Sequence, residues 1–259
     1  MKIVACCKLV PKEEEIKVLP SRELSISRDT QSMDGMPWKI SQYDLNALES
    51  GKQLAAATSG TMTALSVGTA DILGATKLRK DVLCRGADDL SLVNTDHALS
   101  DSLDTAKALV SALKQMEYDL VLCGMGSSDL YLQETGIQVG ALLGVPTVNN
   151  VTDIKPLSEG VLQVERTLED EVEVLEVTLP AVLSVSSEIN VPSIPSMREI
   201  MRAGKKPVNE LAADAENNAC LETISELAPE HQERRCEVIE GDGDEAVEAL
   251  VRFLKKECL

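Results

Sequence analysis

Apolar residues along the chain alternate between two spacings. Lys2–Val10 (KIVACCKLV) is a short continuous apolar run closed by Pro11, which predicts a strand buried on both faces. Comparable runs recur at Met62–Val67, Leu90–Val93 and Asp119–Cys123. Between them, Asp44–Ala57 opens on an N-cap type residue and places Leu45, Leu48, Lys52 and Ala55 at helical intervals. Ala70–Leu83, Ser102–Met116 and Glu134–Leu143 behave in the same way and are predicted helical. Regular alternation of strand and helix predicts an α/β fold, a parallel sheet with helices on both faces. Ligand sites in such folds lie beyond the carboxyl ends of the strands, at a topological switch point.

The spacing changes after Pro146. Val148–Ile154, Val161–Arg166, Glu171–Val177 and Ala181–Val185 are β-rich and too close together for crossover helices, so they read as hairpins or an antiparallel β extension. Two prolines in Val191–Met197 then interrupt the chain, followed by a short helix, the polar stretch Asn209–Asn218, CEVIEG (Cys236–Gly241) and an amphipathic helix over Asp244–Lys256. The expectation is an α/β domain with its β-rich extension over residues 1–190, and a C-terminal arm over 191–259 that packs on something else.

Composition narrows the function classes. A chain of 259 residues with 44% hydrophobic and 26% charged residues is an ordinary globular protein. Its formal charge of −18 repels phosphate backbones and anionic lipid, and its one short basic segment is Arg198, Arg202, Lys205 and Lys206. The aromatic residues are Trp38, Tyr43, Tyr118, Tyr131 and Phe253, too few for a base-stacking platform. No nucleic-acid partner is therefore expected. The seven cysteines, Cys6, Cys7, Cys84, Cys123, Cys220, Cys236 and Cys258, are odd in number and contain no C-x-x-C, so neither a disulfide framework nor a zinc site is predicted. Met1–Val10 lacks the pattern of a signal peptide and no apolar stretch approaches a membrane span, which predicts a cytoplasmic protein with no membrane insertion.

Candidate chemistry is sparse. His97 and His231 both lie in polar segments and read as surface residues, which leaves triad hydrolysis without its base. The acidic runs Lys12–Glu15 and Leu168–Glu173 read as solvated faces. Cys6, Cys7 and Cys123 sit inside apolar strands and read as structural thiols. The most informative segment is GMGSSDLYLQETG, Gly124–Gly136, which follows a strand and opens a helix. Its small residues Gly124, Gly126, Ser127 and Ser128 suit a phosphate cradle beside a helix N-terminus, and the same composition also serves as a plain connector. Neither a dinucleotide fingerprint nor a P-loop is present. A nucleotide-sized site with no evident acid, base or nucleophile beside it points to holding a cofactor.

Several ordered motifs then resemble one family, the β subunit of electron transfer flavoproteins, and within it the Fix-type bacterial members. KIVACCKLVP resembles the family's opening strand with its lysine, here Lys8. Lys39–Glu49 (KISQYDLNALE) stands where the family has its Asn-Pro-Phe-Asp segment, and Arg79–Leu90 resembles its helix and Gly-Ala-Asp turn. Gly124–Gly136 follows the family's nucleotide loop without gaps. Val164–Val185 follows the family signature with Arg166, the acidic cluster Glu169–Glu171, Glu173 and Leu179–Val182.

The resemblance implies a heterodimer with a larger α subunit that holds most of a redox-active FAD. It also implies AMP, or in bifurcating members a second FAD, bound by the β subunit itself. By position the cofactor-binding residues would be Cys6, Ser41, Gln42, Tyr43, Asp44, Val67, Gly124, Met125, Gly126, Ser127, Ser128, Asp129, Gln133, Glu134 and Thr135. Two departures from the family pattern fall here: Ser41-Gln42 replaces its Asn-Pro, and Asp129-Leu130-Tyr131 with Glu134 replaces its acidic triplet and later glutamine. The implied activity is electron relay, with no catalytic residues and no metal. The segment Asn190–Met201 resembles the loop by which the family docks a dehydrogenase or reductase, with Met197 at the anchor position. The alternative reading is a nucleotide-dependent transferase or ATP-pyrophosphatase of the same α/β architecture.

Overall fold

The computed structural model describes residues 1–26, 37–95, 101–212, 224–225, 227–228, 238–239, 241 and 243–257. His97, His231, Cys220, Cys236, Cys258 and most of Leu211–Asn218 lie outside the described residues.

The apolar opening run forms two strands, not one: β1 (Lys2–Cys6) and β2 (Leu9–Pro11). The break has a physical cause. The Cys7 amide still donates to Leu65 O, but the next amide, Lys8 N, donates to the Asp44 carboxylate and leaves the ladder. Two small antiparallel pairs follow, β3 (Ile16–Val18) with β4 (Leu24–Ile26), and β2 with β5 (Trp38–Ile40). Next come α1 (Gln42–Thr58) and β6 (Thr61–Thr69). The predicted helix Ala70–Leu83 is divided into α2 (Ala70–Leu73) and α3 (Thr76–Leu83) at Gly74–Ala75, where glycine's low helix propensity favours an interruption. The alternation continues through β7 (Asp89–Thr95), α4 (Ser102–Leu113), β8 (Leu120–Gly124) and α5 (Thr135–Leu143). The remainder comprises β9 (Thr147–Ser158), β10 (Val161–Thr167), β11 (Val172–Thr178), β12 (Ala181–Val185), α6 (Met197–Ala203), β13 (Val208–Leu211) and α7 (Asp244–Glu257).

Nine strands form one sheet in the order β11-β10-β9-β12-β8-β1-β6-β7-β13. The pairings from β13 through to β9 are parallel, and β10 runs antiparallel to both β9 and β11. The expected antiparallel extension is therefore present over β9 to β11, but Ala181–Val185 does not belong to it. That strand lies inside the sheet, parallel to β8 and β9, with all five residues buried. A continuous apolar run is the pattern of a doubly covered parallel strand, and here it overrides the short spacing. Val208–Leu211, which takes in the first three residues of the stretch Asn209–Asn218, pairs with β7 and forms the other edge of the same sheet.

Side chains of the central strands alternate between two core layers. Ile3 and Ala5 join Leu48, Met62 and Leu122 on the α1 side, while Val4 and Cys6 join Leu65, Val121, Leu109 and Val139 on the α4 and α5 side. Among the described residues no helix is long and apolar enough to cross a membrane.

Packing is tightest where helices cross strands at glycine. A Cβ at Gly140 of α5 would collide with the Thr147 side chain at the start of β9. Alanine's better helix propensity, about 1 kcal/mol, competes there with an overpacking cost of about 1–3 kcal/mol. Overpacking wins, so Gly140→Ala should lower the unfolding free energy in a urea titration, whereas Val174→Thr on the exposed face of β11 should change it by less than about 0.5 kcal/mol.

Candidate functional site

Strand β1 is flanked by β6 on one side and β8 on the other, and the chain builds the sheet outward in both directions from it. The register pairs Ala5 with Leu122, which brings the ends of β1 and β8, Cys6 and Gly124, side by side. The crevice beyond them is the switch point of this sheet. Three segments meet there: Cys7–Lys8, the start of α1 at Ser41–Asp44, and the loop Gly124–Thr135.

Asp44 ties these segments together. Its Oδ2 accepts from Lys8 N at 2.7 Å and its Oδ1 from Gly124 N at 3.1 Å. A Cβ at Gly124 would lie 2.5 Å from Asp44 Oδ1 and 2.8 Å from the Tyr43 backbone, so this close approach requires glycine. Burial pushes the Asp44 carboxyl up to about 7, against the pull of the two backbone donors and the Lys8 charge. Ser41, fully buried at the N-cap of α1, uses its Oγ to accept from Ser128 N at 3.2 Å and makes no cap bond to its own helix. Lys8 Nζ crosses the crevice to Asp129 at 2.7 and 2.9 Å. Partial burial raises the Asp129 carboxyl, but Lys8 and Ser127 outweigh it and hold the group below its usual range.

The loop is held by its own packing. Tyr43 and Tyr131 stack with centroids 5.2 Å apart and rings inclined by 30°. A Cβ at Gly126 would come within 2.6 Å of the Tyr131 ring, so this glycine makes room for the stack. Tyr131 and Gln133 adopt φ of 52° and 62°. The left-handed region costs about 1–2 kcal/mol for a residue with a side chain, and such strain concentrates at functional sites.

These contacts redefine the candidate phosphate cradle. The amides of Gly124, Met125 and Ser128 are engaged within the chain, by Asp44, Val185 O and Ser41 Oγ. The amides of Gly126 and Ser127 have no acceptor among the described residues, and the Ser128 hydroxyl is buried without a partner. The loop ends where α5 begins, with Glu134 at its N-cap. The Glu134 side chain is turned aside: its Oε2 accepts from Ser102 Oγ at 2.6 Å. Gln138, one turn further on, has its Oε1 buried and unpartnered. An orphaned hydroxyl, two adjacent amides and a helix N-terminus suit a phosphate-bearing nucleotide, so the residues present fit such a ligand.

The other expected positions lie around this centre. Gln42 opens α1, and Met125, Asp129 and Thr135 belong to the loop and its exit into α5. Val67 pairs in register with Val93 and packs into the α4 and α5 side of the core, two residues before the end of β6. The Cys6 thiol is buried in that same layer. A hydrogen bond with Cys123 and burial both push it well above the ordinary thiol range, so Cys6 offers the crevice its backbone and no thiolate. Burial raises Cys7 as well. The signature pair Arg166 and Glu173 lies elsewhere: the two are cross-strand partners of β10 and β11, joined at 2.6 Å. That part of the signature builds the hairpin.

Three polar groups bonded to crevice residues fall outside those expected to bind a ligand: Lys8, which pairs with Asp129, and Ser102 and Gln138, which both donate to Glu134. Only Lys8 had a visible signal, as the charge inside the opening apolar run; the others are assembled by the fold. Among the described residues no three His, Cys, Asp or Glu side chains gather to hold a metal ion.

Asp44 generates a pH signature. Its folded pKa lies above the unfolded value of 3.8, so its contribution to stability is full below about pH 4 and is lost as pH rises toward 7. Relative to Asp44→Asn, the wild-type unfolding free energy should fall across pH 4–7 with a slope of at most about 1.4 kcal/mol per unit. Chemical denaturation at several pH values checks this, and parallel pH profiles would refute it.

A family model described as the electron transfer flavoprotein domain matches residues 32–216, well over half of the chain. The match spans α1, the sheet from β6 to β13 and the entire loop between β8 and α5. The protein belongs to the electron transfer flavoprotein domain family, whose members carry electrons.

Proposed function

We propose that this chain is the β-type subunit of a heterodimeric electron transfer flavoprotein, paired with a larger α subunit and relaying electrons between dehydrogenase-type or reductase-type partners. The observation that carries the reading is the buried, unpartnered Ser128 hydroxyl beside the Gly126 and Ser127 amides, at the switch point of a fold of this family. FAD, held mainly by the α subunit, supplies reversible acceptance and donation of electrons. This chain's contribution is placement. Gly126, Ser127 and Ser128 together with the first turn of α5 hold the phosphate of AMP or of a second FAD, and Asp44, Ser41 and Lys8 fix the loop that carries them.

The carboxylates of the crevice support a carrier over a nucleotide-dependent transferase. Asp44 is committed to two backbone amides, Asp129 to Lys8, and Glu134 to Ser102. Each therefore serves structure and not proton transfer to a substrate. Beyond residue 190 the chain supplies contacts. Asn190–Met201 is the docking segment for the redox partner, and the exposed apolar face of α7, with Val247, Leu250, Val251 and Phe253, packs on the α subunit.

Co-production with the α subunit should yield a yellow complex whose visible absorbance bleaches on reduction, and a colourless complex after FAD addition would refute the reading. Ser128→Ala separates binding from folding. Removing an orphaned hydroxyl leaves stability nearly unchanged, whereas losing a hydrogen bond to a charged phosphate costs about 1.5–3 kcal/mol. Calorimetric titration with AMP or FAD should then show a roughly ten- to hundredfold weaker Kd at unaltered thermal stability. Equal affinities would place the phosphate elsewhere.

A further inference from the structure

Asp44 is a buried carboxylate whose surroundings hold it in place without neutralising it. Its two oxygens accept backbone amides, Lys8 N and Gly124 N. The ammonium whose charge reaches it, Lys8 Nζ, is bound instead by both oxygens of Asp129. Burial raises the Asp44 carboxyl, the two amides and the Lys8 charge lower it, and the Asp129 charge raises it again. The Cys6 and Cys7 thiols also feel its charge. They are kept neutral, Cys6 by its hydrogen bond with Cys123 and by burial, Cys7 by burial, so neither supplies a countercharge.

The loop that receives a phosphate in the reading above departs from this carboxylate. Gly124 is bound to it, and the open amides of Gly126 and Ser127 and the orphaned Ser128 hydroxyl follow directly along the chain. The Ser128 amide is held by Ser41, at the head of the helix that carries Asp44. Two residues of chain span at most about 7 Å, so a phosphate on the Gly126 amide stands on the order of 10 Å from the carboxylate. Most of what lies between is protein, where charges are screened far less than in water.

We propose that Asp44 takes up a proton when an anionic phosphate fills the crevice, so that occupancy of the site depends on pH. The inference rests on the nucleotide-site reading given above and adds its regulation. The proton comes from solvent and adds to one carboxylate oxygen, and no other covalent bond changes. A phosphate brings like charge toward a buried carboxylate that has no ion-pair partner, which favours its neutral form. Burial has already brought the carboxyl up to about 7 in the empty crevice, so added negative charge carries it through the neutral range. The sign follows from linkage. The group binds its proton more tightly with ligand present, so affinity is highest below about pH 7 and falls by up to about tenfold per unit above it. Asp44 acts through its charge and through the Gly124 amide it holds, and is a positioning residue.

The test titrates AMP into the α/β complex by calorimetry at about pH 7.5, in PIPES and in imidazole, whose different ionisation enthalpies reveal the protons exchanged per AMP. The AMP phosphate is almost fully charged there, its second pKa being about 6. The wild type should take up at least about 0.3 proton, and its Kd should weaken at least about threefold between about pH 7 and 8.5. Asp44→Asn should show neither effect. Uptake near zero in the wild type, or equal uptake in Asp44→Asn, would overturn the linkage. Lys8→Met decides the matter should Asp44→Asn not fold. Losing the ammonium raises the carboxyl in the empty crevice, so uptake should drop at about pH 7.5 and reach its maximum at higher pH. An unmoved maximum would overturn the proposal. If the complex takes FAD at this site in place of AMP, FAD is the titrant and the same outcomes apply. A wild-type complex that binds neither would instead overturn the nucleotide-site reading on which the linkage rests.

Discussion

The arrangement of the crevice depends on one buried carboxylate receiving two backbone amides, one from the break after β1 and one from the end of β8. Asp44 takes Lys8 N out of the β1 ladder and holds Gly124 N at the end of β8. The first contact turns the chain away from the sheet after Cys6, and the second fixes where the loop to α5 departs. An isolated carboxylate in a dry interior is expensive, and a buried one is retained when backbone donors or an opposite charge compensate for lost water. Here both compensations are present, and burial still leaves the group near neutrality in pKa. The crevice is therefore stabilised at a cost that an apolar contact would not carry, which is the pattern expected where geometry matters more than stability.

From that point the polar network extends in two directions along α1. Its first turn belongs to the crevice, through Ser41 with Ser128 and Asp44 with Gly124. Its next two turns belong to the segment after β12, through Asn46, Glu49, Ser50 and Lys52. One helix, packed on the central strands through Ala47, Leu48 and Leu54, thus fixes both regions relative to the sheet. On the other face of the sheet α4 and α5 share one core layer and are joined through Ser102 and Glu134. Glu134, which replaces the family's later glutamine, is turned toward α4 by its bond to Ser102.

What could be read in the sequence followed physical range. The alternating strands and helices were legible because strands covered on both faces must be continuously apolar and their helices amphipathic. The loop Gly124–Gly136 was legible as a special connector from its small residues. The break after Cys6 was not, since its cause lies 36 residues away in Asp44. The Lys8–Asp129 pair spans 121 residues and has no local signal. Ala181–Val185 lies close in the chain to the antiparallel strands, which suggests a hairpin, but its unbroken apolar pattern matches the parallel, doubly covered position it occupies. The two glycines of the loop suggested open backbone facing an anion, yet the folded loop uses Gly124 to admit Asp44 and Gly126 to admit Tyr131. Which amides face a ligand could be decided only after the internal acceptors were known.

The role given to Asp44 is tested most directly by amide hydrogen exchange at Lys8 and Gly124, resolved residue by residue in the wild type and in Asp44→Ala. If the carboxylate holds both segments, these two amides are protected in the wild type and exchange orders of magnitude faster in the variant, while amides in the β6–β7 ladder keep their protection. Unchanged protection at Lys8 and Gly124 in the variant would contradict the account.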